Sequence, residues 1–498
     1  MSRDTPRAIS VTKPSIEDRV LDRYLGALLG AAIADALGWI TEFRKSRSEL
    51  AKIGVSLVDR FLTWSKPTGG RFHTYIDYVS EGEYSDDTQL LLCTARSLEP
   101  DGHFNPDRFA EELRAWLDYA RGAGAAITAA ARNLRGTSRA RWDSNFYKTR
   151  GRAGRRGYVD AGGNGAAMRV APHALANRHD AQRTAEGVWQ NAITTHGHPR
   201  AIVGSLTIAE CVRLLAAVDN LTKKEIASHL TDFVEGLDVP ARLALDSWQS
   251  QWEKEAGRPF RKALDEAKRE MKSMLRVAGD TRPSFERTLS ELGCFTPATK
   301  GSGTGCVAAA INAFLREPFD YRKATLRIVN TLGADTDTIG SMYGALVGVR
   351  MGSTRIPDVW ATRMQDYEYF ISVAEALTKI GLRDAAENYL RVDVPMVRKR
   401  ESSDIIELTR ERRVTKNQRV LHYLLGPGWV QAVHEQRTRS GGRMLLADVS
   451  LDSGQSVRFR SFRADSPPKE RDREAELEGG GRPQASLFDW PAGGSSTA

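Results

Sequence analysis

Residues 333–352 read GADTDTIGSMYGALVGVRMG: two aspartates, Asp335 and Asp337, each followed by a threonine, head a segment that is otherwise small and apolar. Gly340, Gly344, Gly348 and Gly352 recur every four residues, so on a helix they form one smooth stripe. Glycine inside a helix costs about 1 kcal/mol relative to alanine. A run of them on one face therefore implies a gain elsewhere, most simply the close approach of another helix. The stretch YLGALLGAAIADALGWI at 24–40 carries the same stripe in Gly26, Gly30, Ala34 and Gly38. Two matching flat faces predict helices packed backbone to backbone.

Asp335, Asp337 and Thr338 fall at the N-terminal end of the later helix. Capping alone explains one such residue, since Asp and Thr are favoured there and the helix dipole stabilises a carboxylate by about 0.3–1 kcal/mol. Two aspartates crowded against an apolar helix repel one another unless a cation shares them. A second cluster of this kind stands in YSDDTQLLLCTARSL at 84–98, where Ser85, Asp86, Asp87 and Thr88 precede an apolar helix. Hydroxyls with paired carboxylates are hard oxygen ligands, suited to Mg²⁺, Mn²⁺ or Ca²⁺ rather than zinc. Four carboxylates from two helix starts suit a two-metal site. On chemistry alone, a metal site and double capping both remain open.

The 498 residues exceed one minimal core and predict more than one unit. A hydrophobic content of 41% with 27% charged residues is that of a soluble globular chain. Cys93, Cys211, Cys294 and Cys306 are scattered with no C-x-x-C pair, which excludes a disulfide framework and a zinc knuckle and fits a reducing, cytoplasmic setting. The polar N-terminus lacks the apolar core of a signal peptide. The apolar run 24–40 is short for a membrane span and holds Asp35 in its middle, so it predicts a buried helix and no membrane association. The net charge of +9 permits contact with polyanions. Basic residues concentrate between Arg135 and Arg156 and between Arg398 and Arg419, where a solvated surface is the plain alternative.

Residues 1–16 read as a flexible arm. From 17 to 395 the period is helical, as in DRFAEELRAWLDYARGA, and strand-like alternation is scarce. Segment 222–293 is charged and helical and reads as an insertion. A charged connector at 396–420 leads to a small β module at 421–464, where aromatic and β-branched runs are broken by Pro-Gly, Ser-Gly-Gly and Ser-Gly turns. Residues 465–498, rich in Gly, Pro, Ser and charge, read as a disordered tail. The fold class expected is all-α, a compact multi-helix domain followed by this β-rich module.

GALLGAAIADALGWITEF, YSDDTQL, GGNGAAMRVAPHAL, THGHPRAIVGS and GADTDTIGSMYGALVG follow one another in the order found in the ADP-ribosylglycohydrolase family. The chain resembles that family over about 20–360, less 222–293. The resemblance implies an all-helical fold with a binuclear Mg²⁺ (or Mn²⁺) centre. By position Ser85, Asp86 and Asp87 match the first metal motif, with serine where the family usually has threonine. Asp335, Asp337 and Thr338 match the second, one of whose aspartates would bridge both ions. Glu42 matches the glutamate that approaches the scissile bond, and Asp35 a buried supporting aspartate. Gly163, Asn164, Gly165, Met168 and His196 match the ADP-ribose pocket.

The activity implied is hydrolysis of the glycosidic bond between ADP-ribose and an acceptor, arginine first. O-acetyl-ADP-ribose, serine-linked ADP-ribose and ADP-ribosylated nucleic acid are alternatives, as is a non-catalytic ADP-ribose reader. The partner expected is an ADP-ribosylated macromolecule, protein before nucleic acid. The basic run Lys148–Arg156, just ahead of the glycine-rich segment, is the reason to keep nucleic acid in view. The C-terminal module is a candidate dock for a protein partner.

Overall fold

The structure is a computed structural model. It describes residues 15–69, 73–136, 141–151, 154–383, 390 and 404–463, with backbone alone at 150, 151 and 154–156. The architecture is helical, with one four-stranded antiparallel sheet towards the C-terminal end.

At the centre lie two antiparallel helices, Ile16–Trp39 and Thr336–Met351. The first begins on a capping box: Ser15 accepts from the Asp18 amide while Asp18 accepts from that of Ser15. Ile16 thus already belongs to the helix, and of the expected arm residues 1–14 lie outside the described residues. The glycine stripes meet. A Cβ on Gly26 would stand 2.5 Å from the Gly348 carbonyl oxygen, and one on Gly38 would stand 2.5 Å from that of Thr336. Gly30 and Gly344 oppose one another as closely, and Gly340 faces Ala34. Gly352 sits past the stripe as the C-cap, at φ +85°.

This packing matters for chemistry because it joins the end of one helix to the start of the other. Thr41 Oγ1 and Thr336 Oγ1 lie 2.9 Å apart, and each is 2.9 Å from the Gly38 carbonyl oxygen. Glu42, one residue past Thr41, is thereby brought to the Asp335–Asp337 helix start. Helix Asp86–Arg96 is buried along its whole length and carries the other acidic motif.

Helices Lys223–Gly236, Asp246–Ala256, Phe260–Gly279 and Phe285–Glu291 fill segment 222–293. Phe260, Leu264, Met271 and Leu275 form the buried stripe of the longest. Trp248 Nε1 donates to Tyr158 Oη at 2.8 Å and Trp252 Nε1 to the Gly197 carbonyl at 2.7 Å, so this segment braces the loop carrying His196.

Two short hairpins interrupt the helical region: Trp64–Thr68 with Tyr75–Val79, and Lys148–Gly151 with Gly154–Gly157. The first is hidden in the sequence because its inward-facing positions include Lys66 and Asp77, which break the apolar alternation a strand normally shows.

In the expected connector, Asp404 caps helix Ile405–Glu411, accepting from the Ile406 and Glu407 amides. Residues 396–403 and the expected tail, 465–498, lie outside the described residues. Strands Arg419–His422, Gly426–Arg437, Arg443–Leu451 and Ser456–Arg463 pair in chain order as a meander, beginning two residues before the expected module. Among the described residues no helix is long and apolar enough to cross a membrane, and Cys93, Cys211, Cys294 and Cys306 are free and buried.

Candidate active site

The two acidic motifs converge on one cavity of about 220 Å³. Its walls include Glu42, Asp86, Asp87, Asp335, Asp337 and Thr338, together with Gly163, Asn164, Gly165, Met168 and His196. Of the residues singled out from the sequence, Asp35, Ser85 and Thr88 stand behind the wall. Ser85 caps helix Asp86–Arg96, its Oγ accepting from the Asp87 amide at 3.2 Å and lying 3.3 Å from Asp87 Oδ2.

Helix capping does not account for the aspartates. Ser85 already performs that role in the first motif, and the N-cap Asp335 makes no side-chain cap hydrogen bond in the second. Asp35, inside the first helix, is fully buried and accepts from the amides of Ser85 and Thr88 and, at 2.5 Å, from Thr88 Oγ1. It ties the Ile16–Trp39 helix to the head of the first motif.

Carboxylate oxygens of Asp35, Asp87 and Asp337 come within 4.8 Å of one another, and so do those of Glu42, Asp335 and Asp337. Asp337 belongs to both groups. Burial pushes Asp86 up to about 7, with the charge of Asp35 adding to it. Burial, then the neighbouring Asp335, pushes Glu42 up to about 8. Asp87 and Asp337 are raised as well, by burial first and then by the surrounding carboxylates. Glu42 Oε2 and Asp87 Oδ1 are buried with no hydrogen-bond donor. Clustered carboxylates with orphaned oxygens and no matching donors are what a divalent cation satisfies, so the residues present fit one.

The glycine-rich segment is pinned to the second motif. Asn164 Nδ2 donates to Asp335 Oδ2 at 2.8 Å, and the Asn164 amide donates to the Gly301 carbonyl at 2.9 Å. A Cβ at Gly165 would lie 2.6 Å from Ile127 Cδ1 and 3.2 Å from His196 Cε1, which leaves no room for a side chain. Burial and the nearby Arg169 lower His196 to about 3, so the ring is neutral. Arg169 Nη2 donates to Thr195 Oγ1 at 2.7 Å, and that hydroxyl lies 2.8 Å from His196 Nδ1. Thr195 Oγ1 and His196 Nδ1 share one hydrogen bond whose direction follows the ring tautomer; when the hydroxyl donates, Nε2–H is the donor end of the ring. His198 instead caps helix Pro199–Ala217 through Nδ1 and is absent from the cavity wall.

Several residues behind the site carry no signal in the sequence. Lys66 is buried with its Nζ 4.2 Å from the Trp39 ring centroid and 5.3 Å from that of Phe43, and its charge acts on Glu42. Lys300 Nζ donates to the Glu42 carbonyl at 2.9 Å. Arg121 stacks 5.3 Å from the Trp39 ring and leads into the turn whose Gly124 amide donates to Asp86 Oδ2 at 3.3 Å.

Comparison with known proteins bears on the same residues. The chain is 28% identical over 377 residues to the ADP-ribosylhydrolase ARH3 of Bos taurus, an alignment spanning 73% of this chain and 94% of that protein. It is 25% identical over 357 residues to the ADP-ribosyl-[dinitrogen reductase] glycohydrolase of Rhodospirillum rubrum, covering 71% and 92%. It is 26% identical over 368 residues to the ADP-ribosylarginine hydrolase Tri1 of Pseudomonas putida (strain GB-1), covering 72% and 79%. The family model for ADP-ribosylglycohydrolases matches residues 16–386, a span that holds both acidic motifs, Glu42 and the glycine-rich wall, and the chain belongs to the ADP-ribosylglycohydrolase family.

Proposed function

We propose that this chain hydrolyses the glycosidic bond between ADP-ribose and an arginine side chain of a modified protein, using two divalent cations, Mg²⁺ or Mn²⁺. The observation that carries the reading is the double membership of Asp337 in two carboxylate groups, beside two buried oxygens that lack donors. Ser85, Asp86, Asp87, Asp335, Asp337 and Thr338 would hold the cations, with Asp337 shared between them. When bound, the cations supply positive charge that orients substrate hydroxyls and lowers the cost of ionising water.

The remaining work falls to side chains. Glu42 lines the cavity and, ionised once bound cations offset the neighbouring carboxylates, would take the proton of the attacking water as that water's oxygen bonds to the anomeric carbon. The bond from that carbon to the acceptor nitrogen breaks, and the departing guanidine takes up one proton, which balances the one that Glu42 received from the water. His196 Nε2–H donates to an oxygen of the ADP-ribose, and the backbone of Gly163–Gly165 lets the ligand approach closely. The arginine acceptor is supported by the activity for which the Pseudomonas relative is named, and a protein substrate by that of the Rhodospirillum relative. The scattered, free cysteines agree with a cytoplasmic setting.

The test is release of free ADP-ribose from arginine-linked, serine-linked and nucleic-acid-linked substrates and from O-acetyl-ADP-ribose, each with Mg²⁺, with chelator, and with Asp337→Ala. Metal-dependent release from the arginine conjugate, lost in the variant, is expected. Full activity of Asp337→Ala with magnesium present would remove the metal reading. Tight ADP-ribose binding without release from any substrate would make the chain a reader.

A further inference from the structure

The turn after Tyr119 meets both oxygens of Asp86. Gly122, at φ +78°, lies so close that a Cβ there would stand 2.9 Å from Asp86 Oδ1, and the Gly124 amide donates to Oδ2. That turn is set by Arg121. Its backbone amide donates to Gln89 Oε1 at 3.1 Å, one helical turn beyond Asp86. Its guanidinium donates to Asp77 Oδ1 at 3.0 Å, to Glu83 Oε2 at 2.8 Å and to the Tyr78 carbonyl at 3.1 Å.

These same acceptors are shared with a residue of the last strand. Arg458 Nη1 donates to the Tyr78 carbonyl at 2.6 Å and to Asp77 Oδ1 at 3.3 Å, and Nη2 lies 3.6 Å from Glu83 Oε1. Its other edge is held by Asp448 of the neighbouring strand, with Nε 2.5 Å from Oδ1. Apolar packing, such as Tyr119 against Phe459 with ring centroids 6.1 Å apart, closes the two surfaces only in part. A cavity of about 260 Å³ lies between them, and Glu83, Tyr84, Gln89, Arg121, Asp448 and Arg458 are on its wall. Across it the charged groups are the link. Tyr84, next to Ser85, is tied to the same strand: its hydroxyl donates to Asp366 Oδ2 at 2.6 Å, and the Ser456 amide donates to Asp366 Oδ1 at 2.8 Å.

We infer that Arg458, which lies beyond the family-matched residues 16–386, is a positioning residue for the metal centre, acting through Arg121 and its turn on Asp86. The physical cause is charge balance. With Arg458 present, two guanidinium groups face the carboxylates of Asp77, Glu83 and Asp448. Without it, Asp77, Glu83 and the Tyr78 carbonyl lose one of the two guanidinium groups that hold them in place, and Arg121, which is anchored on the same three acceptors, no longer fixes its turn against Asp86. The C-terminal sheet is then part of the catalytic framework rather than an appendage. The inference rests on Asp86 being a metal ligand, as proposed above.

The test is Mn²⁺ affinity of the full chain, followed by calorimetry without substrate. Outer-shell partners of metal ligands change affinity by about 10–100-fold when removed, and Arg458→Gln is expected to weaken Mn²⁺ binding by about tenfold or more, with Arg458→Lys intermediate. Val430→Ala, which opens the core of the same sheet, serves as the stability control and is expected to lower Tm while leaving Mn²⁺ affinity at the wild-type value. In a double-mutant cycle, Arg458→Gln added to Arg121→Gln is expected to cost nothing further, because the relay is already gone. Wild-type affinity in Arg458→Gln, equal weakening in Val430→Ala, or simple additivity with Arg121→Gln would each overturn the inference while leaving the metal reading intact. Failure of the wild-type chain to bind Mn²⁺ would overturn both.

Discussion

Thr338 Oγ1 lies 3.3 Å from Asp87 Oδ2, so two acidic motifs 251 residues apart in the chain share one hydrogen bond. The pairing places four aspartates and Glu42 around a single cavity, and it makes a thermodynamic prediction that needs no substrate. A ligand bound only by the folded state at 100 times its Kd stabilises by about 2.7 kcal/mol. Wild-type Tm is therefore expected to rise with Mg²⁺ and fall back with chelator. Asp337→Asn, which removes one of the clustered charges, is expected to match or exceed the metal-free wild type and to lose most of the magnesium response. An undiminished response in that variant would sink the assignment of Asp337. Glu42→Gln, by contrast, is expected to keep the response and lose hydrolysis.

The helix pair at the centre has no spare volume. A methyl group on Gly344 runs into the Gly30 carbonyl and its amide neighbour, and both partners are backbone, which cannot rotate away. Overpacking of this kind costs about 1–3 kcal/mol and sometimes more. Gly344→Ala is expected to fall at or above the upper end of that range in urea unfolding. A midpoint within error of wild type would show that the helices separate freely.

Arg96 donates to Glu112 through Nε at 3.0 Å and Nη2 at 2.8 Å, with side chains 3% and 0% exposed. Removing one member leaves the other charged and buried, at a cost of about 3–5 kcal/mol. Arg96→Ala is expected to lose stability in that range, nearly independent of salt. Replacing both, as Arg96→Met with Glu112→Leu, is expected to cost less than the single change. If the double variant is the less stable of the two, the pair contributes more than desolvation takes away.

Asp366 supplies a pH dependence away from the metal centre. Burial raises its carboxyl to about 6, against an ordinary value of 3.8, and the donors Tyr84, Gln365 and Ser456 only partly offset that. A folded-state value above the unfolded one means that the folded chain binds the proton more tightly. This group's stabilisation is complete below about pH 4, declines between pH 4 and 6, and is flat above. The Tm difference between wild type and Asp366→Asn, taken at each pH, is expected to move against the wild type across that window. A difference independent of pH from 4 to 7 would rule out the shift.

What could be read from the sequence was whatever is periodic or clustered locally. The glycine stripes at Gly26–Gly38 and Gly340–Gly348 announce a close helix pair because their spacing matches the helical repeat. The acidic motifs stand out because capping needs fewer carboxylates than they hold. What could not be read depends on contacts between remote residues. Lys300 meets Glu42 across 258 positions, and Arg458 meets Asp77 across 381. Arg121 looks like any surface arginine until Asp77 and Glu83 are folded beside it. The hairpin Trp64–Val79 escapes notice for the same reason: Lys66 and Asp77 face inward only because their partners lie in other elements.

The backbone contact between the helices Ile16–Trp39 and Thr336–Met351 also fixes an order of events during synthesis. Thr41 and its partner Thr336 are 295 residues apart. At about 5–20 residues per second, roughly 15–60 seconds separate their appearance. Through that interval the first helix, whose buried face runs unbroken from Gly26 to Trp39, has been made while the surface that covers it has not. The nascent chain thus carries an apolar, glycine-faced helix with its partner still untranslated. That helix waits uncovered through the interval, and neither acidic motif can meet the other until the ribosome has passed Thr338.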